Sequence, residues 1–248
     1  MHDLKDKLIV ALDVDSISEA ERFVDMLYPT VKMFKVGSQL FTACGPEVVK
    51  MIGKKGARVF LDLKFHDIPH TVFLSVGTGT ALNYEILPDI KREVKDVIQL
   101  AVFMMTVHTD GGPEMLKAAV EGAREKANEL KIKRPYIVGV TVLTSKSEDK
   151  DTQKTVLERA RIAKEAGLDG IVCAVTEASM IRKEFGEKFL IVTPGIRPDN
   201  KASDDQKRTA TVEKAIKSGS NFLVIGRPIL KAQDPLLALQ KILKLSDK

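Results

Sequence analysis

Short, nearly unbroken apolar runs recur along this chain, separated by stretches in which apolar positions return every three or four residues. The first pattern suits strands covered on both faces, the second amphipathic helices. Strands are predicted over Leu8–Val14, Lys32–Val36, Ala57–Leu63, Ala101–Val107, Tyr136–Leu143, Gly170–Val175, Phe189–Thr193 and Asn221–Ile225. Helices are predicted between them. The first runs from about Glu19 to Tyr28, with Ser16 or Ser18 as its cap. The second opens at Gly45-Pro46, reaches about Lys54 and is closed by Gly56. Others span Pro69 to about Val76, Pro113–Leu130, Thr152–Ala166, Glu177–Phe185, Val212–Ser218 and Pro235–Leu245.

Eight strands alternating with helices predict an α/β fold, a single-domain (β/α)8 TIM barrel. An open doubly wound sheet is the runner-up. The Gly77-x-Gly79 pair does not favour it, because no strand precedes those glycines. One stretch fits the alternation poorly. Gly77-Thr78-Gly79-Thr80 reads as flexible, and residues 81–100 contain Pro88 and a charged run. An inserted segment over about 77–100 is expected, carrying an outer helix with Ile90, Val94, Val97 and Ile98 on one face.

Composition sharpens this picture modestly. At 248 residues the chain matches the size of one such barrel, and 44% apolar with 29% charged residues is ordinary for a globular protein. With no tryptophan, the core must be mainly aliphatic. The net charge of +5 is spread among acids rather than clustered, which argues against a nucleic-acid binder and suits an anionic small molecule. Cys44 and Cys173 show no metal spacing and predict reduced thiols in a cytoplasmic protein. The first residues carry acids and do not resemble a signal peptide, and no apolar run approaches a membrane span.

In barrels of this type the active site lies where the strands end at their C-terminal side. Asp13, Lys35, Asp62, Lys64, His108, Thr144, Arg197 and Arg227 all stand there, with Asp67 just beyond. The densest cluster is Asp62-Leu63-Lys64-Phe65-His66-Asp67-Ile68-Pro69. Strand alternation puts Asp62 and Lys64 on one face and Leu61 and Leu63 on the other. A carboxylate, an ammonium and a second carboxylate so close together cost desolvation, which an exposed strand end alone does not explain. Strands seven and eight often build a phosphate site in this fold. Here they end in Thr-Pro-Gly-Ile-Arg197 and Ile-Gly226-Arg227, a flexible backbone followed by a forked donor. The polar segment from Arg197 to Arg208, with Gln206 inside it, has the length of a lid.

These residues resemble the orotidine 5'-monophosphate decarboxylase family. Asp62-Leu63-Lys64-Phe65-His66-Asp67-Ile68 is similar to its D-x-K-x-x-D-I signature. The likeness continues at Ala11-Leu12-Asp13, Phe34-Lys35-Val36-Gly37, Val107-His108, Val140 to Ser145, Gly167 to Gly170, Thr193 to Pro198 and Ile225 to Pro228. It implies decarboxylation of orotidine 5'-monophosphate to UMP, without cofactor or metal, by a homodimer. Lys64 is then the proton donor to C6, and Asp62 faces the departing carboxylate. Asp67, with Ile68 and Thr71, reaches the neighbouring subunit's site. Asp13 and Lys35 hold the ribose and orient Asp62 and Lys64, and Thr144 touches the pyrimidine. Arg197, Gln206, Gly226 and Arg227 serve the phosphate and the lid. His70 departs from the asparagine many bacterial members carry, and the 77–100 segment is longer than the family pattern.

Two competing readings remain at the level of sequence. A sugar-phosphate decarboxylase or aldolase of the same superfamily shares the D-x-K-x-x-D array but needs Mg2+. A non-catalytic anion- or nucleic-acid-binding barrel predicts steeply salt-dependent oligonucleotide binding.

Overall fold

The computed structural model describes residues 4–86, 101–144, 150–198 and 208–244. Eight parallel strands close into a barrel in chain order: β1 (Leu8–Ala11), β2 (Met33–Gly37), β3 (Arg58–Phe65), β4 (Val102–His108), β5 (Tyr136–Val140), β6 (Gly170–Val172), β7 (Leu190–Thr193) and β8 (Phe222–Ile225). β1 pairs with both β2 and β8, so no edge is left open. Each predicted strand is present.

The helices are α1 (Leu4–Lys7), α2 (Ile17–Leu27), α3 (Ser38–Cys44), α4 (Glu47–Lys54), α5 (Pro69–Ile86), α6 (Gly112–Leu130), α7 (Lys150–Glu165), α8 (Val175–Phe185), α9 (Val212–Lys217), α10 (Arg227–Leu230) and α11 (Pro235–Lys244). Ser16 caps α2, its hydroxyl accepting from Glu19 N. Alternation along each strand sorts the core into two shells. Ile9, Ala11, Met33, Phe60, Met104, Val138, Val192 and Val224 fill the barrel interior. Outward residues such as Val10, Phe34, Leu61 and Ile171 meet the helices.

The predicted helix end at Val76 is too early. α5 runs unbroken through Gly77 and Gly79 to Ile86. Those glycines, read from sequence as flexible, lie inside the helix, and Gly79 serves close packing. A Cβ on Gly79 would stand 2.6 Å from Met105 Sδ, and on the facing helix a Cβ on Gly122 would collide with the Phe73 carbonyl. Helix α5 is then tied to β4: Asn83 accepts from Val102 N and donates to Val102 O. Packing and these buried hydrogen bonds offset the helix cost of glycine. The rest of the expected insertion, with Ile90, Val94, Val97 and Ile98, lies outside the described residues. The turns α1, α3 and α10 have no clear apolar period and are not legible in the sequence. No helix among the described residues is long and apolar enough to cross a membrane.

Candidate active site

The C-terminal strand ends enclose a cavity of about 320 Å3. Asp13, Lys35, Asp62, Lys64, Thr144, Arg197, Gly226 and Arg227 all line it, so eight of the expected site residues converge. Parallel register explains much of this. Lys35 and Asp62 come from neighbouring strands, with Gly37 opposite Asp62. Asp13 follows β1, which closes the barrel against β8, and Gly226 follows β8. A Cβ on Gly226 would press Asp13 Oδ2 at 3.2 Å and Ala11 Cβ at 3.3 Å, so a bare backbone suits that junction.

The charges form a chain. Lys35 Nζ stands 3.0 Å from Asp13 Oδ1 and 3.7 Å from Asp62 Oδ2, and Lys64 Nζ donates to that same Asp62 oxygen at 2.9 Å. Lys35 and Asp62 are each 13% exposed, whereas Lys64 keeps 34% of its side chain open, toward the cavity. Two acids and two lysines balance, and Arg197 and Arg227, which follow β7 and β8, leave the cavity cationic. Between them stands an apolar wall of Val140, Val142, Val172, Val224 and Pro194. Such a cavity suits a ligand with an apolar face and an anionic group at the arginines.

Asp62 and Lys64 share a side as expected, but regular alternation is not what places them there. Lys64 adopts a left-handed backbone, φ 53°, which a non-glycine residue rarely takes. The β3–β4 ladder slips at this point: Leu61 faces Met105 and Phe65 faces Val107. Three residues of β3 therefore bulge opposite Thr106 alone. The buried Thr106 hydroxyl accepts from Lys64 N at 2.8 Å and donates to Asp62 Oδ1 at 3.1 Å. Sequence reading did not single out Thr106. Its only signal was a hydroxyl residue within the apolar run AVFMMTV.

Asp67, Ile68 and Thr71 do not line this cavity. All three are exposed, Ile68 at 66%, and Asp67 Oδ1 accepts from Ile68 N at the head of α5. Gln206 lies outside the described residues. His108, at the end of β4, does not line the cavity, and its ring lies 5.7 Å from that of His66. Burial holds its imidazole below the ordinary value, against the weaker opposite pull of Asp110, while His66, Lys64 and Arg159 add to the lowering. Cys173 lines the cavity as well, and burial pushes its thiol well above the ordinary range, so it stays protonated and unreactive.

A second buried charge pair stands beside the cavity. Arg208 Nη1 bonds Glu177 Oε1, and Arg208 Nη2 donates to the carbonyls of Val142 and Leu143, both at 3.1 Å. Glu177 Oε2 accepts from Ala174 N at 2.7 Å at the start of α8. This clamp holds the backbone that leads to Thr144.

The family model for the orotidine 5'-phosphate decarboxylase / HUMPS family matches residues 6–242. The chain is 43% identical over 247 residues to the orotidine 5'-phosphate decarboxylase of Moorella thermoacetica, covering 96% of this chain and 91% of that one. It is 42% identical over 245 residues to the enzyme of that name from Vibrio cholerae, covering 95% and 96%. Among solved structures, orotidine 5'-phosphate decarboxylase from Lactobacillus acidophilus superposes with a TM-score of 0.76 at 33% identity, over 96% of this chain and 97% of that one.

Proposed function

The chain belongs to the orotidine 5'-phosphate decarboxylase / HUMPS family, and from that premise we propose that it converts orotidine 5'-monophosphate to UMP without a cofactor. The observation that carries this reading is the ammonium of Lys64, held by Asp62 yet open to a cavity that Arg197 and Arg227 also line.

Breaking the C6–carboxylate bond leaves its electron pair on C6, in the ring plane, where the π-system delocalises it poorly. Charge must be stabilised by the site itself. The Lys64 ammonium, placed before the reaction starts, does so and then delivers its proton to C6, regaining one from solvent. The carboxylate of Asp62 faces the substrate carboxylate and repels it until CO2 departs, a ground-state contribution. Lys35 and Asp13 hold the ribose hydroxyls, and Lys35 also keeps Asp62 in place. Thr144 meets the pyrimidine. Arg197 and Arg227 take the phosphate beside the Gly226 backbone, and the family likeness alone assigns Gln206 to the same group. Grip at this remote end holds the reacting atoms in register, so it contributes to the rate as well as to binding. Two ammonium groups flanking Asp62 disfavour a divalent cation there, which supports the metal-independent reading.

The exposed Asp67, Ile68 and Thr71 fit the same scheme as the contribution of one subunit to its neighbour's site in a homodimer. The two unpaired cysteines, Cys44 and Cys173, agree with a cytoplasmic setting.

The test is an ultraviolet assay following orotidine 5'-monophosphate as UMP forms, with and without EDTA. Turnover unaffected by EDTA is expected. Turnover of a sugar phosphate that requires Mg2+, with none of the nucleotide, would move the chain to the other branch of its family.

A further inference from the structure

We propose that Thr106, through its hydroxyl, is the positioning residue that sets both the carboxylate of Asp62 and the main chain of Lys64. This rests on the decarboxylase reading above and adds to it a residue that touches no substrate.

The argument begins with the slipped ladder. Between the pairs Leu61–Met105 and Phe65–Val107, β3 spends three residues where β4 spends one. A bulge of that kind takes main-chain donors out of the ladder. The amide of Lys64 is one, and inside a barrel wall it needs another acceptor. Thr106 Oγ1 is that acceptor, at 2.8 Å. An amide nitrogen can only donate, so the hydroxyl must accept there. Its single proton is then directed to its other neighbour, Asp62 Oδ1 at 3.1 Å.

The two oxygens of Asp62 are thereby assigned. Oδ1 takes the threonine proton, and Oδ2 takes Lys64 Nζ with Lys35 Nζ close by. The carboxylate is held at both ends and cannot rotate without losing a bond. The same hydroxyl holds Lys64 in its left-handed turn, a conformation that needs outside support. One buried group thus sets the base of the lysine and the tip of the aspartate. Thr106 is fully buried and absent from the cavity wall, so its influence passes through those two residues.

The test separates hydroxyl from shape. Thr106→Val keeps the methyl group and volume and removes both hydrogen bonds. Thr106→Ser keeps the bonds and removes the methyl. With the wild-type chain assayed first, kcat of Thr106→Val is expected to fall about 10- to 100-fold, the scale of a small misplacement of reacting groups. Its KM should change far less, and Thr106→Ser should stay near wild type. A threonine that only packs predicts the reverse order. Wild-type kcat in a folded Thr106→Val chain overturns the proposal. Should that chain not fold, Thr106→Ala is compared with Thr106→Ser: equal kcat overturns the proposal, and an impaired alanine variant beside an active serine variant sustains it. An inactive wild-type chain would instead overturn the decarboxylase reading on which the proposal stands.

Discussion

Two charge clusters lie side by side in this barrel and are built in opposite ways. Glu177 and Arg208 are sealed, 0% and 6% exposed, and the main chain around them absorbs further hydrogen-bonding capacity through Ala174 N and the carbonyls of Val142 and Leu143. Asp13, Lys35, Asp62 and Lys64 bond one another just as closely, yet their ammonium groups end at an open cavity. In the first cluster nearby protein groups answer the charge. In the second, part of the answer is left to whatever enters. Buried charge that the surrounding protein neutralises is structural, and charge held at the wall of a cavity is available for chemistry.

That contrast can be broken by experiment. Lys64→Ala should lower kcat by more than about a thousandfold while the thermal unfolding transition persists, because proton donor and charge stabiliser are lost together. An active Lys64→Ala enzyme would remove the array's assigned role. Glu177→Ala should do the opposite. Stranding the Arg208 guanidinium in the core costs about 3–5 kcal/mol, visible in urea melts, while kcat per folded molecule falls far less than in Lys64→Ala. A Glu177→Ala chain of unchanged stability would mean the sealed pair is not structural. Next in size is Arg227→Ala, for which loss of a charge-assisted bond, about 1.5–3 kcal/mol, predicts a 10- to 100-fold lower kcat/KM at about that energy. The fold should not respond.

The smallest effect belongs to His108. Its folded imidazole titrates below the ordinary value of 6.5, so between those two values the unfolded chain binds the extra proton. His108 therefore costs nothing above the ordinary value, and stability drains away as pH falls from there toward the folded value. His108→Gln should flatten the loss of melting temperature as pH falls below the ordinary imidazole value of 6.5. An identical pH profile in wild type and variant would show that His108 binds its proton equally in the folded and unfolded chains.

Much of this was legible in the chain. Continuous apolar runs at regular spacing announce parallel strands covered on both sides, and the barrel follows from eight of them. Polar and charged residues toward their C-terminal ends announce the rim. Asp13, Lys35, Asp62, Lys64, Thr144, Arg197 and Arg227 were found this way, and Gly226 by the close backbone approach a glycine permits. What the chain determined by itself is therefore the periodicity of its elements and which of them end in charge, because both depend on local order alone.

The tertiary structure decided the rest. Gly77 and Gly79 look like a break until α6 and β4 close on α5, when the missing side chain of Gly79 becomes a condition for approach. Thr106 looks like one more strand residue until the β3–β4 register slips and its hydroxyl meets Lys64 and Asp62, 42 and 44 residues earlier in the chain. Glu177 and Arg208 look like surface charges until they are buried together across 31 residues. Each is a pairing of distant groups at hydrogen-bonding or contact range. Such pairings leave no periodic trace in a sequence, because only the closed barrel sets the distances between them.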